Sequence, residues 1–307
     1  MILGKLGNTN INIAPFSIGT ATFGNVYGKT DNLELKKIVK KAIDNGLNYF
    51  DTSPYYGNKL SEINLGNSLD GIDRSKYIIS TKVGRYGDDL FDFSESTIIS
   101  SLDESLERLK IDYVDILLLH DIEFGNFEQI INESLPALEK LKKSGKVKYI
   151  GFSCYPINLI KKVVEKSFIK IDVILSYAHY CLLNDKLTSI IPFLKENNIG
   201  IINASPLCMG LLTTNSVADW HPASYDMIEF IKKTSYFLSM NYSVKIEDYA
   251  LNYPLRNKVI TTTLVGIKNI KELDILIRIL RNDIVFRDHI YTNIFNSLTK
   301  YHNVELE

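Results

Sequence analysis

The sequence predicts an α/β fold, a single (β/α)8 TIM barrel with an N-terminal β-hairpin. Short apolar runs alternate with amphipathic helical stretches along the whole chain, and this alternation is typical of repeated βα units. Eight such units can be counted, and that number favours a closed barrel over an open doubly wound sheet. No linker rich in Pro, Gly or Ser interrupts the pattern. One domain is therefore expected over residues 1–307.

Each predicted strand is short and rich in apolar residues, and a helical stretch follows it. We expect strands over residues 13–19, 47–51, 77–82, 113–120, 148–153, 172–177, 200–204 and 259–266. We expect helices over residues 32–45, 94–109, 127–144, 156–166, 188–197, 225–240, 246–252 and 270–280. Residues 2–13 carry the turn Gly7-Asn8-Thr9-Asn10 and are expected to form the hairpin.

The charge balance and the cysteines exclude several classes of function. Lys and Arg total 35 and Asp and Glu total 36, giving a net charge of −1, whereas nucleic-acid binders carry a basic excess. No apolar run reaches the roughly 18 residues that span a bilayer, and no signal peptide is evident, so we expect a cytoplasmic protein with no membrane partner. The three cysteines have no C-x-x-C spacing, so neither a disulfide framework nor a metal site is expected.

Polar residues end three consecutive predicted strands. These residues are Asp51, Lys82 and His120, and the active site of a (β/α)8 barrel lies at the carboxyl ends of its strands. Each of the three, taken alone, is more often structural, but their occurrence on neighbouring strands indicates a site with perturbed pKa values. Tyr56 follows Asp51 by five residues in the next loop and joins the set.

The motifs around these residues resemble those of the aldo-keto reductase family over essentially the whole chain. They are Asp51-Thr52-Ser53-x-x-Tyr56-Gly57, Ser80-Thr81-Lys82-Val83-Gly84, the run from Asp112 to His120-Asp121, Gly145-Lys146-Val147-x-x-Ile150-Gly151-x-Ser153, and Ser205-Pro206-Leu207. The resemblance implies an NAD(P)-dependent enzyme whose catalytic tetrad is Asp51, Tyr56, Lys82 and His120.

The chemistry of the tetrad follows from its residue types. A tyrosine has a pKa of about 10, too high for efficient proton exchange at neutral pH. The Lys82 cation is expected to lower the pKa of Tyr56 while Asp51 holds Lys82 in place. Tyr56 is then the general acid/base and His120 orients the substrate oxygen, while a nicotinamide carries the hydride. Tyr55 is the competing candidate, and the family spacing favours Tyr56.

Residues 172–185 and 220–224 resemble, within the family, the aldose 1-dehydrogenase group that includes L-galactose 1-dehydrogenase. The resemblance implies oxidation of an aldose at its C1 hemiacetal to a lactone. Candidate substrate contacts are Tyr177, His179, Trp220 and His221, and the loop with Trp220 is either a lid over the sugar or a packed plug. The alternatives are a broad NADPH-dependent aldehyde or ketone reductase and, from another class, a non-catalytic nucleotide-sensing subunit. A monomer or weak homo-oligomer is expected.

The same resemblance supplies the expected cofactor contacts. They are Gly19, Thr20, Asp51, Ser153, Ser176, Ser205, Leu207, Gly266, Lys268 and Glu272. The Glu272 carboxylate would repel a 2′-phosphate and suit a free ribose hydroxyl, which favours NAD, although Lys268 could restore affinity for NADP. The chain departs from the family at Ser176, where Gln is typical, and at Ala204, where an aromatic residue commonly stacks on the nicotinamide.

Overall fold

A computed structural model describes residues 2–306 and contains a closed barrel of eight parallel strands. The strands are β3 (Phe16–Gly19), β4 (Tyr49–Asp51), β5 (Ile78–Val83), β6 (Val114–Leu119), β7 (Val147–Ser153), β8 (Val173–Tyr177), β9 (Gly200–Ala204) and β10 (Thr262–Gly266). They follow in chain order around the barrel, and β10 closes it against β3. Two further strands, β1 (Gly4–Lys5) and β2 (Asn12–Ile13), form an antiparallel hairpin. The predicted TIM barrel and its N-terminal hairpin are confirmed.

Helices connect the barrel strands. They are α1 (Asn32–Asp44), α2 (Leu60–Leu69), α3 (Glu95–Leu109), α4 (Phe127–Gln129), α5 (Leu135–Lys143), α6 (Ile157–Lys166), α7 (Ile191–Glu196), α8 (Tyr225–Tyr242), α9 (Ile246–Asn252), α10 (Ile270–Leu280) and α11 (Asp288–Leu298). A π-helical turn, Ile130–Ser134, joins α4 to α5. Within residues 2–306, no helix is long and apolar enough to cross a bilayer.

The sequence analysis did not predict α2 and α11. The buried positions of α2 include Ser61, Glu62 and Asn64, so the helix lacks the apolar stripe that marks an amphipathic helix. Its polar side chains are satisfied inside the protein: Glu62 binds Arg108 at 2.7 Å, and Asn64 donates to the Phe23 carbonyl oxygen at 2.8 Å. Because the buried side chains of α2 are polar, apolar residues do not recur at helical spacing in its sequence.

The hairpin closes the amino end of the barrel. Leu6, Ile11 and Ile13 are buried in one cluster with lumen residues that include Ile116 and Leu175. The hairpin turn requires Gly7, whose φ is +54° and whose Cβ would lie 2.3 Å from the Gly200 nitrogen. The apolar contact seals one end of the lumen, so the carboxyl ends of the strands form the accessible end.

Strand alternation decides which residues face this accessible end. Val173 and Leu175 of β8 belong to the lumen cluster, and Tyr177 shares their side because side chains alternate along a strand. By the same rule the last lumen-facing positions of the strands are Gly19, Asp51, Lys82, Ser153, Tyr177, Ala204 and Gly266, with His120 directly after β6. We call this set the mouth.

Gly151 offers a test of how tightly the barrel wall is packed. A Cβ at this position of β7 would lie 1.9 Å from the Val173 carbonyl oxygen of β8. Gly151→Ala must therefore separate the two strands, and we expect a loss of about 3 kcal/mol in the free energy of unfolding, measured by urea denaturation. Gly87→Ala, whose Cβ would meet only the Leu90 side chain at 3.2 Å, is the control. Equal stabilities of the two variants would contradict the prediction.

Candidate active site

A buried ion pair between Lys82 and Asp51 forms the base of the mouth. The Lys82 Nζ lies 2.5 Å from Asp51 Oδ1, and both side chains are almost completely buried. The second carboxylate oxygen of Asp51 accepts a hydrogen bond of 2.6 Å from Ser80, whose hydroxyl accepts one of 2.8 Å from Tyr49. The charges are therefore paired and the carboxylate is held at both oxygens, as a buried ion pair requires.

Lys82 also contacts Tyr56. Besides Asp51, its ammonium donates to the Thr52 carbonyl oxygen at 2.9 Å and to the Tyr56 hydroxyl oxygen at 3.1 Å. Because an ammonium has three donors and no acceptor, all three are engaged and Tyr56 receives one of them. The phenolic hydrogen of Tyr56 is left free for another oxygen in the mouth.

Burial and charge act in opposite directions on these two groups. Burial raises the pKa of Tyr56 above its usual value, and the Lys82 cation lowers it by a smaller amount. The effect of Lys82 has the expected sign, but the net shift is upward, so Tyr56 holds its proton at neutral pH in this structure. Although burial favours the neutral amine, Asp51 and Tyr56 raise the pKa of Lys82 above its ordinary value.

A close backbone approach fixes the loop that carries Tyr56. Gly57 has a φ of +61°, and a Cβ there would lie 1.9 Å from the Gly24 carbonyl oxygen. Ser61, just beyond the loop, donates to the Thr20 carbonyl oxygen at 2.6 Å, and the Thr20 hydroxyl donates to the Asp51 carbonyl oxygen at 2.9 Å. These contacts attach the Tyr56 loop to the strand that ends at Asp51.

His120 lies beside Tyr56 as a neutral imidazole. Its ring packs edge-to-face on Tyr56 with the centroids 5.7 Å apart, and burial lowers the pKa of His120 to about 3. Its Nδ1 is 3.0 Å from the Ser53 hydroxyl, which already accepts from the Tyr55 amide. The Ser53 hydroxyl still has its own hydrogen to donate to Nδ1, and in the tautomer that accepts it the ring proton lies on Nε2.

Tyr55, the competing candidate, contacts a different set of groups. Its hydroxyl donates to Asp88 at 2.8 Å and accepts from Arg85 at 3.1 Å, whereas Lys82 donates to Tyr56. The geometry favours Tyr56 as the tyrosine that works with the ion pair.

The sequence analysis missed a second polar network behind His120. Ser153 donates to one oxygen of Asp121 at 2.8 Å, and Arg85 binds the other oxygen at 2.6 Å. The Asp121 carboxylate lies 3.7 Å from His120 Nε2. The hydroxyl of Ser153, an expected cofactor contact, is thus engaged with Asp121. Arg85 could not be identified from the sequence because its partner, Asp121, is 36 residues away in the chain.

The other half of the mouth has almost no side chains. Ala204, Gly266 and Gly19 are its lumen-facing residues on the three adjacent strands β9, β10 and β3. Gly19 lies in register with both Gly266 and Asp51. We call these three residues the bare wall. These strands place no side chain larger than a methyl group beside the ion pair, as a nicotinamide lying there would require.

Ser176 does not face the mouth. It shares the helix-facing side of β8 with Ile174, and its buried hydroxyl has no hydrogen-bond partner among residues 2–306. Its neighbour Tyr177 is the residue of β8 that faces the lumen, next to Ala204 in the register. The difference of one position reverses the side of the strand, so the structure does not bring Ser176 together with the tetrad.

Two other candidate substrate residues, His221 and Trp220, differ in their burial and in their hydrogen bonds. His221 is buried, and its two ring nitrogens contact the Cys208 carbonyl oxygen at 2.9 Å and the Ala223 amide at 3.0 Å. Trp220 is half-exposed and packs edge-on against Tyr27 with the ring centroids 5.4 Å apart. His221 therefore anchors the loop while Trp220 stays at the surface.

The turn after β9 contains the expected contacts Ser205 and Leu207. Ser205 has a φ of +57°, and Cys208 follows with a φ of +47°. Cys208 is buried with its sulfur 3.2 Å from that of Cys181. The turn is therefore held in an unusual backbone conformation directly beyond the bare wall.

Two carboxylates occupy the amino end of α10. Glu272 accepts from the Lys268 amide at 2.7 Å, and Glu34 accepts from the Ile270 amide at 2.9 Å. The Lys268 ammonium is 3.5 Å from the Tyr27 carbonyl oxygen, at the edge of a groove next to β10. Negative charge therefore surrounds the helix end that would otherwise attract an anion.

The low pKa of His120 predicts acid sensitivity of the fold. An unfolded histidine titrates near 6.5 and the folded one near 3, so between these values the unfolded chain binds a proton that the native state lacks. Stability is complete above pH 6.5 and falls as the pH drops towards 3. We expect His120 to account for about 2 kcal/mol of the loss between pH 7 and pH 5, measured by urea unfolding. His120→Asn should lose less between these pH values, whereas the exposed His289→Asn should behave as the unaltered protein; identical losses in all three would contradict the assignment.

Comparisons with known proteins agree with the family that the sequence motifs resemble. A family model described as the Aldo/keto reductase family matches residues 15–293. L-galactose dehydrogenase of Arabidopsis thaliana is 42% identical over 275 residues, covering 89% of this chain and 86% of the relative. D-arabinose 1-dehydrogenase of Saccharomyces cerevisiae is 33% identical over 275 residues, covering 85% of this chain and 81% of the relative.

A solved structure agrees with the barrel. The holo form of an aldo-keto reductase from Bacillus halodurans superposes with a TM-score of 0.77 at 23% identity, covering 100% of this chain and 98% of that chain. This likeness supports the fold alone, whereas the family model and the two relatives extend to function. The chain belongs to the aldo/keto reductase family and is an NAD(P)-dependent oxidoreductase.

Proposed function

We propose that the protein oxidises the C1 hemiacetal of an aldose of the L-galactose type to a lactone, with NAD+ as the acceptor. The observation that carries the proposal is the contact between Lys82 and the Tyr56 hydroxyl beside a neutral His120, next to the bare wall. The two relatives described above are an L-galactose dehydrogenase and a D-arabinose 1-dehydrogenase, and both names denote oxidation of sugars.

The residues of the mouth divide the reaction between them. A sugar bound with its C1 hydroxyl against Tyr56 loses the hydroxyl proton to that residue, and the adjacent Lys82 cation stabilises the phenolate that must form first. His120 donates from Nε2 to the same oxygen and so fixes its position. A nicotinamide on the bare wall would supply the hydride acceptor. In the reverse direction Tyr56 gives its proton to the carbonyl oxygen.

The preference for NAD rests on the amino end of α10. A 2′-phosphate placed there would meet the carboxylates of Glu272 and Glu34, while a free ribose hydroxyl could donate to them. Lys268 and Lys29, which line the same groove, favour NADP. Thr20, Ser205, Leu207 and Ser153 remain proposed contacts of the cofactor, and Trp220 and His179 remain proposed contacts of the sugar.

The domain organisation, cellular location, oligomeric state and partner of the enzyme also remain proposals. We infer one domain over residues 1–307 that works in the cytoplasm as a monomer or weak homo-oligomer. Its partner is a small uncharged sugar rather than nucleic acid, in keeping with the net charge of −1.

Tyr56→Phe tests the reaction and its general acid/base together. The unaltered enzyme should reduce NAD+ with L-galactose, D-arabinose or a related aldose, and the variant should lose 10²- to 10⁴-fold in kcat, about the contribution of a positioned acid/base group. Binding of NADH, followed by fluorescence, should not change. Tyr55→Phe is the matched control and should retain activity. Turnover restricted to NADPH and simple aldehydes would overturn the proposal and favour the second candidate, a general carbonyl reductase.

Glu272→Gln tests the cofactor preference. Removal of one negative charge should improve kcat/KM for NADP+ relative to NAD+ by about tenfold, which is about 1.4 kcal/mol and lies between the roughly 1 kcal/mol of a charge pair at 4 Å in bulk water and the roughly 4 kcal/mol near a protein surface. Steady-state kinetics with both cofactors at fixed aldose measures the ratio. Glu128→Gln, at an exposed position of α4, is the control. If the unaltered enzyme already prefers NADP+, the assignment to NAD is wrong.

A further inference from the structure

Glu123 lies at the edge of the mouth with half of its carboxylate unused. It follows His120 by three residues, in the short helical turn Ile122–Phe124. Its Oε1 accepts from the Tyr155 amide at 3.0 Å and from the Tyr177 hydroxyl at 3.4 Å. Its Oε2 is buried and has no hydrogen bond of ordinary geometry in the part of the chain that the structure describes; the nearby Cys154 thiol, a weak donor, is the other side chain that acts on this carboxylate. Native proteins rarely leave such an atom unsatisfied, because it has lost its water without a replacement.

In the same loop, both carboxylate oxygens of the neighbouring acid, Asp121, have hydrogen-bond partners. Asp121 uses both oxygens, one for Ser153 and one for Arg85. It is thus fully engaged in holding the loop and has no capacity left for a ligand. Burial and the charge of Asp121 raise the pKa of Glu123 to about 7. Near neutral pH its carboxyl group can therefore either accept or donate a hydrogen bond.

A second unsatisfied atom belongs to His179, whose ring packs on that of Tyr155. His179 is buried, its Nε2 contacts Glu305 at 3.2 Å, and its Nδ1 has no partner within residues 2–306. The Tyr155 ring packs on His179 with the centroids 4.3 Å apart and on Tyr177 at 5.2 Å. Glu123 and His179 thus both contact the pair formed by Tyr155 and Tyr177. We call Glu123, Tyr155, Tyr177 and His179 the Tyr155 subsite.

The Tyr155 subsite is continuous with the reaction centre. Tyr177 belongs both to it and to the mouth, where it lies in register with Ala204 of the bare wall. Glu123 shares a loop with His120, the residue that faces Tyr56. The Tyr155 subsite thus adjoins the reaction centre both through β8 and through the loop after β6.

The chemistry of the Tyr155 subsite selects among ligands. Ligand pockets combine apolar and aromatic walls with a few polar groups that fix orientation, and one carboxylate oxygen of Glu123 and one ring nitrogen of His179 remain to be satisfied by a ligand. A sugar presents C–H groups on its ring and hydroxyls that both donate and accept. A simple aldehyde offers only one acceptor.

We propose that the Tyr155 subsite binds the ring hydroxyls of the aldose remote from C1, with Glu123 Oε2 as the principal acceptor. The inference rests on the proposed function and names the residue that distinguishes a polyhydroxylated substrate from a plain carbonyl compound. Glu123 acts through binding and takes no part in the transfer of the proton or the hydride.

Glu123→Gln is the main test. The amide keeps the acceptor for the Tyr155 amide and puts a donor where Oε2 was. We expect KM for L-galactose to rise tenfold or more, the loss that follows when a charged hydrogen-bond partner is removed, with kcat within about threefold. Reduction of benzaldehyde, which has no hydroxyls, should keep its kcat/KM. Glu128→Gln is the matched control on the adjacent helix and should change neither substrate.

A binding measurement separates this inference from the proposed function. A sugar analogue without the C1 hydroxyl, 1,5-anhydro-L-galactitol, cannot be oxidised, and its dissociation constant with the NADH-loaded enzyme can be measured by calorimetry. We expect Glu123→Gln to weaken its binding about tenfold, and Glu123→Asp, which withdraws the carboxylate but keeps its charge, to weaken it as well. The thermal midpoint should be unchanged or higher, since an unsatisfied buried charge is removed.

The outcomes are distinct. Unchanged sugar KM and unchanged analogue binding in Glu123→Gln would show that water alone satisfies Oε2, and would overturn the inference. An equal loss with benzaldehyde, or a lower thermal midpoint, would assign Glu123 a structural role and would also overturn it. If the unaltered enzyme oxidises no aldose, the proposed function fails, while the calorimetry still decides whether Glu123 holds a polyol.

Discussion

The buried ion pair between Lys82 and Asp51 is the interaction on which the rest of the site depends. Removing two charges from water is costly, and the barrel offsets the cost by placing them 2.5 Å apart and satisfying the remaining atoms with Ser80, Thr52 and Tyr56. The strand ends supply these partners in fixed positions, because β4 and β5 are neighbours in register. Tyr56 is held by the pair, and His120 is held against Tyr56.

The mouth has two unlike halves, and the difference follows the strand order. The strands from β4 to β8 end in polar side chains, whereas β9, β10 and β3 end in alanine and glycine. A parallel barrel brings all eight ends to one rim, so the two halves face each other across the lumen. One half carries hydrogen-bond donors and acceptors, whereas the other carries no side chain larger than a methyl group. A cofactor ring and a sugar can therefore meet without competing for the same wall.

The sequence predicted the parts of this site that repeat with the strands and missed the parts that depend on long-range contacts. Asp51, Lys82 and His120 could be recognised because each ends an apolar run, and Tyr56 because of its spacing. Arg85 and Glu123 could not, since their partners are 36 and 32 residues away and nothing local marks them. Ser176 and Tyr177 were both expected to contact ligands, but neighbouring residues of a strand point to opposite sides, and the sequence did not show which of the two faces the lumen. Helix α2 was not predicted because its buried face is polar.

The hairpin at the amino end of the barrel has a consequence for solvent. Leu6, Ile11 and Ile13 pack into the lumen from its amino end, so water reaches Tyr56 from the rim. A ligand that fills the rim thus displaces that water, and the local dielectric constant falls at that moment. The attraction between the Lys82 cation and a Tyr56 phenolate then strengthens, while the burial that raises the pKa of Tyr56 increases as well. The seal on one end of the barrel couples occupancy of the other end to the proton affinity of Tyr56.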